Sequence, residues 1–164
     1  MLLCYAVFDT LVGDITIVGT DKGVTNLLFG SFDPVGAVNE ETLPIYDGIM
    51  QINQYMYGQR KKFDLKMRAN ATTENELKVW KYCLTIPYGE TRLFADVSKE
   101  LNIPVEEIQQ YLERNPLPIL IPSHRITGPS GGLSNFVGGI EIQGKLLLLE
   151  KRVTQGTYQP GSLD

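Results

Sequence analysis

Short apolar runs separated by tight turns characterise the first part of the chain. Between Tyr5 and Phe29, runs rich in Val, Ile, Thr and Phe are interrupted by Gly13-Asp14, Gly19 and Asp21-Lys22-Gly23. This spacing predicts a three-stranded meander with tight turns.

Residues 32–67 change from strand-like to helical spacing and back. Residues 32–42 are polar and contain proline and glycine, so they predict a loop or an irregular crossing. Apolar residues at helical spacing over 46–57 predict a helix, which Gly58 would end. Alternating apolar and polar residues at 63–67 predict a further strand.

Beyond a linker at residues 69–73, the pattern is mostly helical. Thr73 and Glu76 form a capping-box signature ahead of a first helix. Two short helices are predicted next, over 94–101 and from 105 to about 114, with a turn between them. They form a helix-turn-helix outline, which alone is weak evidence for DNA binding because many small helical domains share it.

A proline-fenced apolar stretch at residues 116–122 leads into Ser123-His124-Arg125, and residues 128–132 are rich in glycine. The prolines exclude a continuing helix and predict a buried, extended segment. His124 is the only histidine, and its neighbours predict a pocket mouth with a hydroxyl, an imidazole and a guanidinium. No Gly-x-Ser-x-Gly turn surrounds Ser123, so a serine hydrolase is the weakest interpretation. A last helix is predicted over 142–151.

Composition excludes several classes of protein. The chain has 164 residues, 43% of them hydrophobic and 21% charged, which fits one medium domain or two small ones in a soluble protein. Two distant cysteines indicate neither a disulfide framework nor a zinc site, so we expect no metal and no cofactor. Without a membrane-length apolar run or a signal peptide, we expect a cytoplasmic protein with no membrane contact.

The net charge of −4 and the pI of about 5.1 bear on nucleic-acid binding. Duplex DNA repels an acidic protein unless its positive charges are gathered on one face. The overall charge therefore argues mildly against DNA, and the decision falls to local patches.

Residues 115–125 resemble the active-site segment of the O6-alkylguanine-DNA alkyltransferase family, whose core is Pro-Cys-His-Arg. Residues 86–90, 131–140 and 145–150 are similar to the elements that flank it in that family. The resemblance covers about residues 74–152, and residues 1–68 agree in outline with the family's amino-terminal domain. It implies an α/β (α+β) fold: a small ribonuclease-H-like sheet domain at 1–68, a mostly helical domain with a helix-turn-helix at 74–152, and a tail at 153–164.

The resemblance also implies a role for individual residues. In the family, the helix-turn-helix holds DNA through the minor groove, a damaged guanine is flipped into a pocket, and the cysteine thiolate takes the alkyl group irreversibly. By similarity, Ser123 stands at the acceptor position, His124 would accept the nucleophile's proton through a water, Glu150 would orient His124, and Asn115 would brace the segment. The implied DNA-binding or base-binding positions are Phe94, Arg125, Phe136, Gly131 and Arg114. Of these, Phe94 and Phe136 stand where the family has tyrosines, and Arg125 suits a structural anchor better than a DNA contact.

Two departures from the family pattern alter the expected function. A serine hydroxyl is far harder to ionise than a thiol and is a poor nucleophile toward saturated carbon, so Ser123 should not accept an alkyl group. In the second helix a glutamate occupies or adjoins the place of the family's arginine. Glu106, Glu107 and Glu113 would repel phosphates if they faced the groove, but a solvated acidic helix face is the better interpretation.

Three interpretations follow. The first is an alkyltransferase-like protein that binds duplex DNA with an alkylated guanine, transfers nothing, and signals to a repair protein. The second is a divergent homologue that has lost DNA binding and uses the cleft for a small ligand or a protein partner. A serine-based enzyme ranks last. We expect a monomer, and we expect natural loss of the nucleophile because a deliberate substitution would normally keep the family's arginine.

Overall fold

The computed structural model describes residues 2–128, 136–161 and 163. The chain divides into two compact units, one formed by residues 1–69 together with 158–164, the other by residues 70–157. Within the described residues, no helix combines the length and the apolar character needed to span a bilayer.

The first unit is a four-stranded sheet with one helix packed on it. Its strands are β1 (Leu3–Thr10), β2 (Gly13–Thr20), β3 (Gly23–Phe29) and β4 (Ala37–Asn39), in the order β3-β2-β1-β4. The antiparallel meander β1-β2-β3 confirms the strands predicted from the turn spacing. The short β4, which pairs in parallel with β1, lies inside the segment predicted as a loop.

Helix α1 (Leu43–Met56) begins three residues before the predicted start. Thr42 caps it, since its hydroxyl accepts a hydrogen bond from the Ile45 amide, and Pro44 is favourable in the first turn. Ile45, Ile52 and other buried residues of α1 pack against the sheet.

The predicted strand at 63–67 is wrong. Only an isolated parallel bridge joins Met67 to Val24. The segment is instead hydrogen-bonded to α1. The Gln51 side-chain oxygen accepts from the Asp64 amide at 2.9 Å, and the Gln51 side-chain nitrogen donates to the Asp64 carbonyl at 2.8 Å. A side chain thus takes the backbone groups that a sheet partner would have used.

The second unit is mostly helical, as the sequence predicted. Its helices are α2 (Glu74–Thr85), α3 (Phe94–Leu101), α4 (Val105–Glu113) and α5 (Ile140–Gln155). Thr73 caps α2 by accepting from the Glu76 amide, whereas the Glu76 carboxylate accepts from the Thr72 amide. Helices α3 and α4 flank a turn in which Asn102 adopts a left-handed conformation, φ 56°, forming the predicted helix-turn-helix.

Candidate active site

Residues 123–125 form a short 3-10 helix, and all three side chains are buried. A two-stranded parallel sheet holds this turn beside the helix-turn-helix, because β6 (Ile126–Thr127) pairs with β5 (Arg92–Leu93), which leads directly into α3. Upstream, Ile119 has a φ of 73°, unusual for a β-branched residue and strained by about 1–3 kcal/mol. Such strain persists where the surrounding structure dictates the backbone path, here the path into the Ser123 turn.

Asn115 holds the Ser123 hydroxyl in place. Its side-chain amide donates to Ser123 Oγ at 2.8 Å and to the Ile121 carbonyl at 2.9 Å. Its oxygen accepts from the Leu117 amide at 3.0 Å. All of these bonds are buried, and they join the end of α4 to the segment that carries Ser123.

The Glu150 carboxylate is the hub of the site. One oxygen lies 2.6 Å from His124 Nε2, and the two oxygens accept from Arg125 Nε and Nη2 at 2.9 and 3.1 Å. The Gly89 amide donates to it at 3.1 Å. In its neutral form, His124 donates from Nε2 to this carboxylate, which leaves Nδ1 as an acceptor. Nδ1 is buried and has no hydrogen-bond partner among the described residues.

Burial alone would raise the pKa of Glu150, but the adjacent His124 and Arg125 outweigh it. Their charges and hydrogen bonds hold the pKa of Glu150 well below its ordinary value. The folded protein therefore resists protonation at this carboxylate more strongly than the unfolded chain does.

We predict that the pairing of Glu150 makes the protein less stable in acid. Its contribution is fully present above the unfolded-state pKa, about 4.3 for a glutamate, and is lost as the pH falls toward the depressed folded-state pKa. Urea midpoints measured from about pH 6 to pH 3 should fall more steeply in the wild type than in Glu150→Gln. Parallel curves for the two proteins would contradict this origin of the acid sensitivity.

Arg125 is a structural anchor in this conformation. Its side chain is only 8% exposed, its Nη1 donates to the Ile86 carbonyl at 2.8 Å, and its guanidinium lies over the Tyr88 ring. The donors of Arg125 are directed to Glu150 and Ile86, and the residue is buried. The sequence interpretation of an anchor agrees with this position.

The other implied DNA-binding or base-binding residues fall in different environments. Phe94 is 4% exposed at the start of α3, and Phe136 is 5% exposed with its ring edge-to-face with His124, centroids 6.1 Å apart. Arg114 is half-exposed, but its Nη2 lies 2.8 Å from the buried carboxylate of Glu76, so much of its charge is neutralised. Gly131 lies outside the described residues.

Sequence reasoning missed Gln143 and the acceptor role of Glu76. The Gln143 amide donates to the carbonyls of His124 and Ile126, at 3.1 and 3.3 Å, and so ties α5 to the active-site turn. A glutamine in the first turns of a helix carries no signal of this contact. Glu76 had a signal, its place in a capping box, but that signal pointed to a helix cap.

The two cysteines of the chain lie outside the turn formed by residues 123–125. Both cysteines of the chain are free and buried, Cys4 in the first unit and Cys83 on α2. Burial raises the pKa of the Cys83 thiol to about 12, although the nearby Arg125 opposes the shift. A thiol with that pKa is almost wholly protonated at neutral pH.

The helix-turn-helix surface is acidic. Residues 94–113 contain five acidic residues and a single lysine, Lys99. Glu106 and Glu113 of α4 are exposed, and so is Gln110 between them. Glu107 is partly buried, where it accepts from the Tyr111 hydroxyl at 2.6 Å. The outer surface of α4 is therefore a poor match for a phosphate backbone.

The fold and the site define the class of protein. The sequence-family model for the 6-O-methylguanine DNA methyltransferase DNA-binding domain matches residues 74–152. The sequence-family model for the ribonuclease-like domain of the same methyltransferase matches residues 3–69. The chain therefore belongs to the 6-O-methylguanine DNA methyltransferase family, a family of DNA-binding alkyltransferases of DNA repair, and the recognised resemblance is confirmed.

Individual relatives match over nearly the whole chain. The methylated-DNA–protein-cysteine methyltransferase of Mycobacterium tuberculosis is 32% identical over 92% of this chain and 93% of its own length. The protein of the same name from Methanosarcina acetivorans is 33% identical over 89% of this chain and 97% of its own length. Among solved structures, Mycobacterium tuberculosis OGT in complex with DNA superposes with a TM-score of 0.82 at 30% identity, covering 91% of this chain and 93% of that one.

Proposed function

We propose that this chain is an alkyltransferase-like protein, which binds duplex DNA with an alkylated guanine and transfers no alkyl group. One observation carries the proposal. At the position of the family's acceptor cysteine the chain has Ser123, whose hydroxyl is buried and hydrogen-bonded to Asn115, while the pair of His124 and Glu150 is intact.

The physical reason lies in the nucleophile. A thiol ionises near pKa 8.5 and sulfur attacks saturated carbon readily, whereas a hydroxyl does neither at neutral pH. Serine enzymes succeed because their target is a carbonyl and an oxyanion hole shares the developing charge. The alkyl carbon on guanine O6 is no carbonyl, and Asn115 already occupies a lone pair of Ser123 Oγ.

Binding without transfer would keep the lesion occupied. The relatives are named as methyltransferases that act between methylated DNA and a protein cysteine, and one solved relative is bound to DNA. The same fold around an inert residue would hold the flipped base and release it unchanged. A bound protein would then mark the lesion for a repair protein.

A second candidate function is supported by α4. Its exposed Glu106 and Glu113 would repel the phosphates of any groove that α4 entered. A homologue that has lost DNA binding would use the cleft beside Ser123 for a small ligand or a protein.

We predict lesion-selective but weakly salt-dependent DNA binding. The basic residues between positions 92 and 114 are Arg92, Lys99 and Arg114, so log K against log salt should have a slope of about −3 or shallower. A duplex with O6-methylguanine should bind about tenfold more tightly than its unmodified match, because a weakened base pair is cheaper to open. Fluorescence anisotropy over a salt series measures both quantities.

Lys99→Ala should weaken binding and reduce the salt slope by about one unit, whereas Lys81→Ala, on exposed α2 surface outside the helix-turn-helix, should change neither. Equal affinity for the two duplexes contradicts lesion recognition. If neither duplex binds at low salt, the proposed DNA binding is wrong and the second candidate function is favoured.

A further inference from the structure

Helix α1 has apolar side chains on two opposite faces. One face packs on the sheet through Ile45 and Ile52, both fully buried. The other, here named the outer face, is exposed, and it consists of Leu43, Tyr46, Met50 and Tyr57, which are 75%, 54%, 40% and 55% exposed.

Leu43, Tyr46 and Met50 are separated by three and four positions, the spacing that brings side chains to one side of a helix. Tyr57, the residue that follows α1, lies on the same side seven positions after Met50, and the half-buried Asn53 and Gln54 lie between them. Isolated exposed apolar residues are ordinary, but a contiguous exposed patch indicates a binding surface. A helix that is apolar on both sides is normally covered on both sides.

Opposite charges lie at the two ends of the outer face. Glu40 and Glu41 precede α1, and a groove of about 340 Å³ near its start is lined by Asp21, Asp47 and Asp64, with Lys66 as the one basic group. The segment 60–62, Arg-Lys-Lys, follows the end of the helix. One end of the outer face is therefore acidic and the other basic.

We propose that the outer face of α1 binds the same face of a second copy of this chain, with the two helices antiparallel about a two-fold axis at Met50. Leu43 then faces Tyr57 of the second copy, seven residues on either side of the axis. Glu40 and Glu41, which precede α1, then lie toward the end of the second copy's helix that the segment 60–62 follows. A two-fold contact is self-complementary, so both acidic ends meet basic ends.

The contact is small, since α1 has 14 residues and spans about 21 Å. An interface built on one helix of this length is small and therefore weak, so the dimer forms only at high protein concentration. This pairing differs from the monomer expected from the sequence. The outer face belongs to the unit of residues 1–69, and the Ser123 site belongs to the other unit. A test of the dimer is therefore independent of DNA recognition.

Sedimentation velocity over a concentration series tests the proposal. The weight-average mass should rise from monomer toward dimer, and the rise should weaken in high salt because the end charges are exposed. Met50→Asp would bring two carboxylates together at the axis and should abolish the rise. Val35→Asp, at a fully exposed apolar position in the same unit, should leave it unchanged. A monomer at every concentration, or association that survives Met50→Asp, overturns the proposal.

Oxidative cross-linking tests the antiparallel register. In Met50→Cys, the new thiol faces its own copy across the axis and should form an intermolecular disulfide. In Tyr57→Cys, the thiol faces Leu43 and lies about 20 Å from its own copy, so it should not cross-link. The native cysteines are 2% and 0% exposed and contribute no background. Equal cross-linking of the two variants contradicts the register.

Discussion

Glu150→Gln is expected to lower the free energy of unfolding by about 3–5 kcal/mol. The carboxylate is 1% exposed and accepts from His124, Arg125 and the Gly89 amide. A glutamine removes the negative charge and leaves the guanidinium of Arg125, 8% exposed, without its counter-ion. A buried charge that loses its partner keeps its full desolvation cost, and that cost dominates the loss.

Urea unfolding followed by circular dichroism measures this loss. Glu141→Gln is the matched control on the same helix, because Glu141 is 85% exposed and only 3.8 Å from Lys145 in a surface pair. We expect no measurable change there. The double variant Glu150→Gln with Arg125→Met should be less destabilised than Glu150→Gln alone, since it removes the unpaired charge. A single-variant loss below about 1 kcal/mol would show that the ion pair contributes little.

Local sequence rules predicted the elements of this fold that depend on local chemistry. The meander followed from turn glycines, α2 from the cap at Thr73, and the helix-turn-helix from two short amphipathic runs. The error at 63–67 has a non-local cause, since Gln51, more than ten residues away, supplies the hydrogen bonds for Asp64. Alternating sequence cannot reveal a partner of that kind.

The site was predicted in a different way. Composition and spacing suggested only a pocket around the single histidine, and the role of Glu150 came from the resemblance. The contacts of Arg125 with Ile86 and of Gln143 with His124 join residues 39 and 19 positions apart, and neither follows from sequence alone. The positive φ of Ile119 could not be predicted from the sequence either, because β-branched residues rarely adopt that conformation.

In the proposed function, Ser123 and the acidic surface of α4 concern different steps, so their effects can be tested separately. Ser123 concerns the chemical step and the acidic surface of α4 concerns the binding step. If the chemistry alone was lost, restoring the thiol should restore the reaction. If binding was lost as well, the thiol alone should achieve little on duplex DNA.

Ser123→Cys is therefore expected to convert a protein with no detectable methyl transfer into one that accepts about one methyl group per chain in a single turnover. The thiol would replace a hydroxyl next to His124, whose buried Nδ1 has no hydrogen-bond partner among the described residues, and a thiolate forms far more readily than an alkoxide. The sulfur would attack the methyl carbon, the bond from that carbon to guanine O6 would break, and the guanine would leave with the electron pair and take up a proton. Labelled methyl from an O6-methylguanine duplex, mapped to residue 123 by peptide mass spectrometry, measures the result.

Three comparisons make the outcome decisive. Ser123→Ala should bind DNA as the wild type does and accept nothing. Ser123→Cys combined with Glu106→Arg should react faster on duplex DNA, because it replaces an exposed negative charge on α4 by a positive one, while both cysteine variants should react equally with a free alkylated guanine base. Methyl on Ser123 of the wild type would overturn the loss of transfer. A cysteine variant that binds the lesion yet accepts no methyl from either substrate would show that the base pocket itself has been lost, since a thiol beside an intact pocket has what the reaction requires.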